Sequence, residues 1–169
     1  MALNNKPKRN LETDTHIFFL TNWMSNFQDI PNKIEYNGYL FNNTEQLFMY
    51  LKAEFFKDKE SMDLILKTPI PQEVKLLGRG VKNFINDKWD KVRYDMMLLA
   101  NRLKYSHAEF KEKLLKTGNK ELIEANEADK IWGCGLYADN PLILNNLNWT
   151  GQNLLGKVLM QIREELSNE

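Results

Sequence analysis

Apolar and polar positions along the chain switch between two periods. His16-Ile-Phe-Phe-Leu20 is a short apolar run with polar residues at both ends, a pattern that predicts a buried strand. Thr21 to Phe27 reads as an aromatic-rich loop. Ile34 to Phe41 sets aromatic and branched residues on either side of Asn37-Gly38, and this pair accepts positive φ, which predicts a tight hairpin. Helical spacing then takes over. Asn43 to Phe56 predicts a helix whose first N–H groups Asn43 or Thr44 can cap. Ser61–Lys67 predicts a short helix ending before Thr68-Pro69-Ile70-Pro71. Pro71 suits the first position of another, which runs to Leu77 and stops at Gly78.

Trp89, Val92, Met96, Leu99 and Leu103 follow one face of a long helix over 88–105. Further helices are expected over Ala108–Lys116, over Glu121–Asn126 and over 151–167, the last burying Leu155, Val158, Leu159, Ile162 and Leu166. Trp132 to Trp149 holds glycine, asparagine and proline and reads as an irregular loop. The elements describe an α+β fold, a mostly α-helical single domain with a small β element near the N-terminus. Residues 1–13 read as a flexible N-terminus and 14–169 as the domain.

Composition narrows the class. With 169 residues, 43% of them apolar and 27% charged, the chain suits one globular domain. No apolar run approaches the roughly 18 residues of a membrane span, and the polar, basic start lacks the core of a secretory signal. The single Cys134 leaves no internal disulfide and favours a cytoplasmic setting. Basic and acidic side chains number 23 each, a balance that argues against wrapping a nucleic-acid backbone. Action on one nucleotide at a time stays open.

Candidate chemistry begins in the helix over 43–56. Glu45 and Lys52 are seven residues apart on one face, about 10 Å along the axis. Phe48 and Met49 lie between them, and Phe55 and Phe56 extend the stripe. The plain alternative is a rim glutamate at the helix dipole and a snorkelling lysine. His16 and His107 have no neighbour at ligand spacing, so no metal is expected. Cys134 reads as a buried inert thiol, and Gly78-Arg79-Gly80 as a helix end rather than a phosphate loop.

Further spots carry chemistry in combination. Trp89 stands four residues before Arg93. Glu124-Ala-Asn-Glu-Ala-Asp129 leads into Lys130-Ile-Trp132-Gly133-Cys-Gly135, a carboxylate shortly before an indole and two glycines. Gly151-Gln-Asn-Leu-Leu-Gly156 opens the last helix, where free N–H groups suit a phosphate; simple capping is the alternative. Acids, a lysine, arginines and aromatics together suit a nucleotide or a ribosyl phosphate.

The segments Phe19–Trp23, Thr44–Ala53, Leu76–Val81, Trp89–Arg93, Lys116–Gly118, Leu122–Glu124, Asp129–Leu136 and Asn153–Met160 resemble, in order, the NADAR or YbiA-like family. The resemblance covers about residues 16–166 and implies an N-glycosidase. It implies cleavage of a ribose–nitrogen bond, in ADP-ribose on guanine bases or in the ribosylamino-pyrimidine phosphates of riboflavin synthesis. Carried over by position, it makes Glu45, Lys52 and Asp129 catalytic. It also implies a substrate-binding set of Asn22, Trp23, Arg79, Trp89, Arg93, Trp132, Gly133 and Asn153. Met49-Tyr50-Leu51, Cys134 and the long loop 137–149 depart from some members and bear on the choice of substrate.

The expected partner is a small ribosyl phosphate or an ADP-ribosylated nucleobase, with nucleic acid as a carrier of substrate, no membrane and no cofactor. Lys52, made less basic by the apolar stripe, would attack the anomeric carbon, and Glu45 would stabilise charge or move the proton that opens the ring. Asp129 would orient ribose hydroxyls or activate water, and Trp89 and Trp132 would flank the base. A non-catalytic ADP-ribose or nucleotide-binding module is the alternative.

Overall fold

The structure, a computed structural model, describes residues 8–168. Its chain gathers into two compact units: one combines the stretch up to Ser25 with Leu114 onward, and the other is Asn26–Lys113. The α+β class holds.

In the second unit, β3 (Asp29–Tyr36) pairs antiparallel with β4 (Tyr39–Asn43). The turn takes Asn37 to φ 50° and Gly38 to φ 79°, as the Asn-Gly pair predicts. β4 runs into α1 (Thr44–Phe55), whose first turn is capped by the Asn43 side chain accepting from the Gln46 N–H at 3.0 Å. α1 then packs on α2 (Lys59–Lys67), α3 (Pro71–Arg79) and α4 (Asn86–Tyr105). So much cover buries most of α1, including Thr44, Glu45 and Gln46. The Gln46 amide makes this burial possible: it donates to the carbonyls of Ile65 and Thr68, each at 2.9 Å, and accepts from the Asn42 N–H at 2.7 Å. α5 (Ala108–Leu115) follows α4.

Two expectations change here. α3 does not stop at Gly78 but runs to Arg79. Gly78 is buried inside it, and a Cβ there would stand 1.9 Å from the Met49 sulfur, so the glycine lets α3 pack closely on α1. In α4 the buried residues after Trp89 are Met97, Leu98, Ala100, Asn101, Lys104 and Tyr105, rather than Met96, Leu99 and Leu103.

In the first unit, β1 (Leu11–Glu12) pairs antiparallel with β2 (His16–Phe19), which pairs in parallel with β5 (Glu121–Glu124). The loose N-terminus expected over 1–13 falls partly outside the described residues, and within them Leu11–Glu12 are an edge strand. Glu121–Asn126, expected as a helix, is instead β5 and its exit. Leu122 and Ile123 are both fully buried, and β2 supplies a ladder for which four residues suffice. α6 (Leu154–Ser167) lies on β5. It begins at Leu154 rather than at Gly151, after Asn153 in the left-handed region at φ 50°. Phe18, Ile123, Cys134, Leu136 and Ile143 form this unit's core with Ala125 and Ala138.

Candidate active site

Lys52 is in the last turn of α1, half buried. Its amine donates a 2.8 Å hydrogen bond to the Gly78 carbonyl of α3. The Phe84 ring, from the turn before α4, lies with its centroid 4.3 Å from Nζ, and the Trp89 ring of α4 lies at 5.8 Å. Trp89 is only 7% exposed, and Phe48, Phe55 and Phe56 surround it with centroids at 5.5, 6.2 and 6.3 Å. Burial holds the Lys52 amine below the usual lysine pKa. The carbonyl and the ring faces favour the ammonium and temper that displacement. An amine in such a cage is a better nucleophile at neutral pH than one that snorkels into water.

Glu45, two turns earlier, is 5% exposed, and its backbone N–H donates to the Asn26 carbonyl at 3.0 Å. A carboxylate in the first turn of a helix is favoured by the N-terminal dipole. Arg79 is exposed at the end of α3. Arg93, one turn beyond Trp89, pairs with Asp90 at 2.7 Å. The unit over 26–113 therefore gathers the lysine, its aromatic cage and the buried glutamate around α1.

The other expected residues are in the first unit. The Asp129 carboxylate accepts from the N–H groups of Ile131 and Trp132 at 3.1 and 2.9 Å, which fixes the turn that presents Trp132. Gly133 closes this turn by donating to the Asp129 carbonyl at 3.1 Å, and a Cβ on Gly133 would meet that oxygen at 2.7 Å. Asn22 accepts from the Met24 N–H at 2.9 Å, shaping the loop in which Trp23 is partly buried.

The phosphate end expected over Gly151–Gly156 is not open. The N–H groups of Gln152, Asn153, Leu154 and Leu155 donate to the carbonyls of Lys130, Gly133, Ile131 and Trp132 at 2.9, 3.0, 3.2 and 3.1 Å. The Asn153 side chain turns to the edge of β5, donating to the Leu122 carbonyl and accepting from the Glu124 N–H, both at 3.0 Å. Asn153 is thus a brace on β5 whose side chain makes no cap hydrogen bond to α6, and the N–H groups that a phosphate would need are taken by carbonyls of the 130–133 loop.

Sequence reasoning missed Phe84 and the Gly78 carbonyl. The signal for Phe84, an exposed aromatic in a short turn ahead of a helix, is ordinary. Only the packing of the 81–85 turn beside α1 gives it meaning.

A family model, the NADAR domain, matches residues 10–167. The chain is 38% identical to an N-glycosidase of Acanthamoeba polyphaga mimivirus, a match covering 92% of this chain and 98% of that protein. It is 33% identical to an N-glycosidase of Nostoc punctiforme, covering 90% and 93%. The NMR structure of the E. coli protein YbiA matches with a TM-score of 0.73 and 28% identity over 95% of this chain and 89% of that one.

Proposed function

The chain belongs to the NADAR family and is an N-glycosidase, a hydrolase of N-glycosidic bonds, and from that premise we propose that it cleaves a ribose–nitrogen bond in a nucleotide-like substrate. The two substrate classes are ADP-ribose joined to a guanine base of nucleic acid and a ribosylamino-pyrimidine phosphate. The observation that carries the reading is the caged, partly dehydrated Lys52 amine on the same helix as a buried glutamate.

In the proposed reaction, the neutral Lys52 amine attacks the anomeric carbon. The Nζ–C bond forms as the bond to the base nitrogen breaks, and the base leaves with the electron pair and takes up the proton that the newly bonded Lys52 nitrogen sheds. Glu45 stabilises the positive charge on the ribose carbon or exchanges the proton that opens the sugar ring. Ring opening, with its oxygen protonated, leaves an imine between the sugar and Lys52, and water hydrolyses it to free the sugar and restore the amine. Trp89 supports the amine from behind. By the family motif, Asp129 orients the ribose hydroxyls or activates water, and Trp132 flanks the base. No helix among the described residues is long and apolar enough to cross a membrane, and we place the reaction in the cytoplasm on the strength of the lone, buried, unpaired cysteine.

The test is direct. The protein is incubated separately with DNA bearing ADP-ribosylated guanine and with a ribosylamino-uracil phosphate, and products are identified by mass spectrometry with Glu45→Gln as control. Release of an intact base or aminopyrimidine from one of them, absent in the control, is expected. Neither substrate being cleaved would overturn the proposed substrate classes.

A further inference from the structure

The turn that carries Phe84 is pinned far more firmly than its exposure suggests. Val81 is 5% exposed. The Lys82 N–H donates to the buried Asp58 carboxylate at 2.8 Å, and the Lys82 amine pairs with Glu60. Asp58 also caps α2 through the Ser61 N–H and hydroxyl, at 3.2 and 2.6 Å, and these hydrogen bonds hold its carboxyl below the usual range. Asn83 takes φ 59°, which redirects the chain, and Phe84 then packs edge-on against Phe56 at 5.3 Å. The result is a strap anchored at the start of α2 and ending over Lys52.

We propose that Phe84, held by this strap, is a positioning residue for the Lys52 amine: its ring screens the amine from water and keeps it against the Gly78 carbonyl. The inference rests on the reading of Lys52 as the attacking group. Phe84 is itself 41% exposed, so one flank of its ring closes the cage while the rest faces solvent. Lys52 extended into water would be almost wholly charged at neutral pH, leaving only a small neutral fraction to attack. Held in the cage, it keeps a larger neutral fraction and a fixed direction. The groups facing the amine are uncharged: the Gly78 carbonyl from α3, the Phe84 ring from the strap and the Trp89 ring from α4. Among the described residues no carboxylate pairs with it, and desolvation is the cause of its lowered pKa.

The experiment titrates Lys52 directly. Full-length protein carrying lysine labelled with 13C at Cε is followed by NMR against pH, and the Lys52 signal is assigned by its absence in K52R. Phe84→Ala is expected to raise the Lys52 midpoint toward that of a free lysine, because the water it admits outweighs the lost attraction of the ring for the ammonium. Phe84→Tyr is expected to leave it nearly unchanged. The acid limb of the pH profile of kcat/KM should move with the midpoint, so the neutral-pH rate of Phe84→Ala falls about tenfold for every pH unit by which the midpoint rises. A Lys52 midpoint that does not move in Phe84→Ala, or that moves equally in Phe84→Tyr, overturns the proposal whatever the activity. A moved midpoint with an unmoved pH–rate profile supports Phe84 as the wall of the amine and overturns Lys52 as the attacking group.

Discussion

The Lys52 amine donates its 2.8 Å hydrogen bond to the carbonyl of Gly78, a residue that can lie against α1 because it has no side chain. The bond spans two packed helices and holds a flexible side chain in one direction. That direction matters if Lys52 attacks carbon. Lys52→Arg keeps the charge and the stem but has no nucleophilic amine at accessible pH. Both Lys52→Arg and Lys52→Ala should retain the circular dichroism of the folded chain and lose the glycosidase reaction. Borohydride should trap a sugar on the parent protein and on neither variant. Near-normal turnover in Lys52→Ala would rule out the covalent route and leave direct hydrolysis.

Glu45 makes a separate prediction. It is 5% exposed at the start of α1, so Glu45→Gln keeps shape and burial while removing the charge and the titratable proton. Activity should fall on the order of 10²- to 10⁴-fold, the usual scale for a proton-transferring side chain, with the melting temperature nearly unchanged. A large loss of stability with little specific loss of rate would make Glu45 a structural carboxylate.

Gly156 predicts a packing effect. It lies in the first turns of α6, where alanine normally helps a helix by about 1 kcal/mol. Here an added Cβ would stand 2.0 Å from the Leu122 carbonyl oxygen and 2.5 Å from the Asn153 amide. The obstacle is β5 backbone, so the clash outweighs propensity. Gly156→Ala should destabilise by about 1–3 kcal/mol or more in denaturant unfolding. A stabilised variant would mean that α6 does not approach β5 so closely.

The sequence was most legible where local chemistry decides the structure. Asn37-Gly38 demanded its hairpin, Asn43 capped α1 as expected, and Pro71 opened α3. It was least legible where a distant partner decides. Glu121–Glu124 becomes a strand because β2, about a hundred residues earlier, offers a parallel edge, and nothing within the segment announces that. The buried face of α4 was misjudged because Asn101 and Lys104, polar by type, are fully buried, while Met96, Leu99 and Leu103 are less covered. Of the candidate site, Glu45, Lys52 and Trp89 could be named from spacing and family pattern. The cage that gives Lys52 its character could not, because a helical carbonyl and a turn aromatic carry no motif.

Asn153 separates two roles by their signatures. As a brace it contributes hydrogen bonds to Leu122 and Glu124 at the edge of β5. Asn153→Ala removes both and leaves a strand carbonyl and N–H without these partners. The expected cost is about 2–4 kcal/mol for two such losses. KM for any remaining folded enzyme should change little. A raised KM at unchanged melting temperature would show Asn153 acting on the substrate.

Lys104 predicts a stability slope with pH. It is fully buried in α4, with its amine over the rings of Tyr105 and Phe110 at 5.3 and 5.2 Å, and burial lowers its pKa from 10.5 to about 7. The unfolded chain, with the ordinary lysine value, therefore binds more protons than the folded one between those two values. Stability contributed by this site must rise with pH through that window. Tyr105 works the other way at the top of it, since burial raises its phenol above the ordinary value of 10.0. Measurements should therefore stay below about pH 9.5, where the unfolded phenol keeps its proton. The melting temperature of the parent should climb from about pH 7 to about pH 9.5 relative to Lys104→Met, which fills similar volume with no titrating group. Parallel curves for the two proteins would show that Lys104 stays charged when folded, with its amine satisfied as an ammonium.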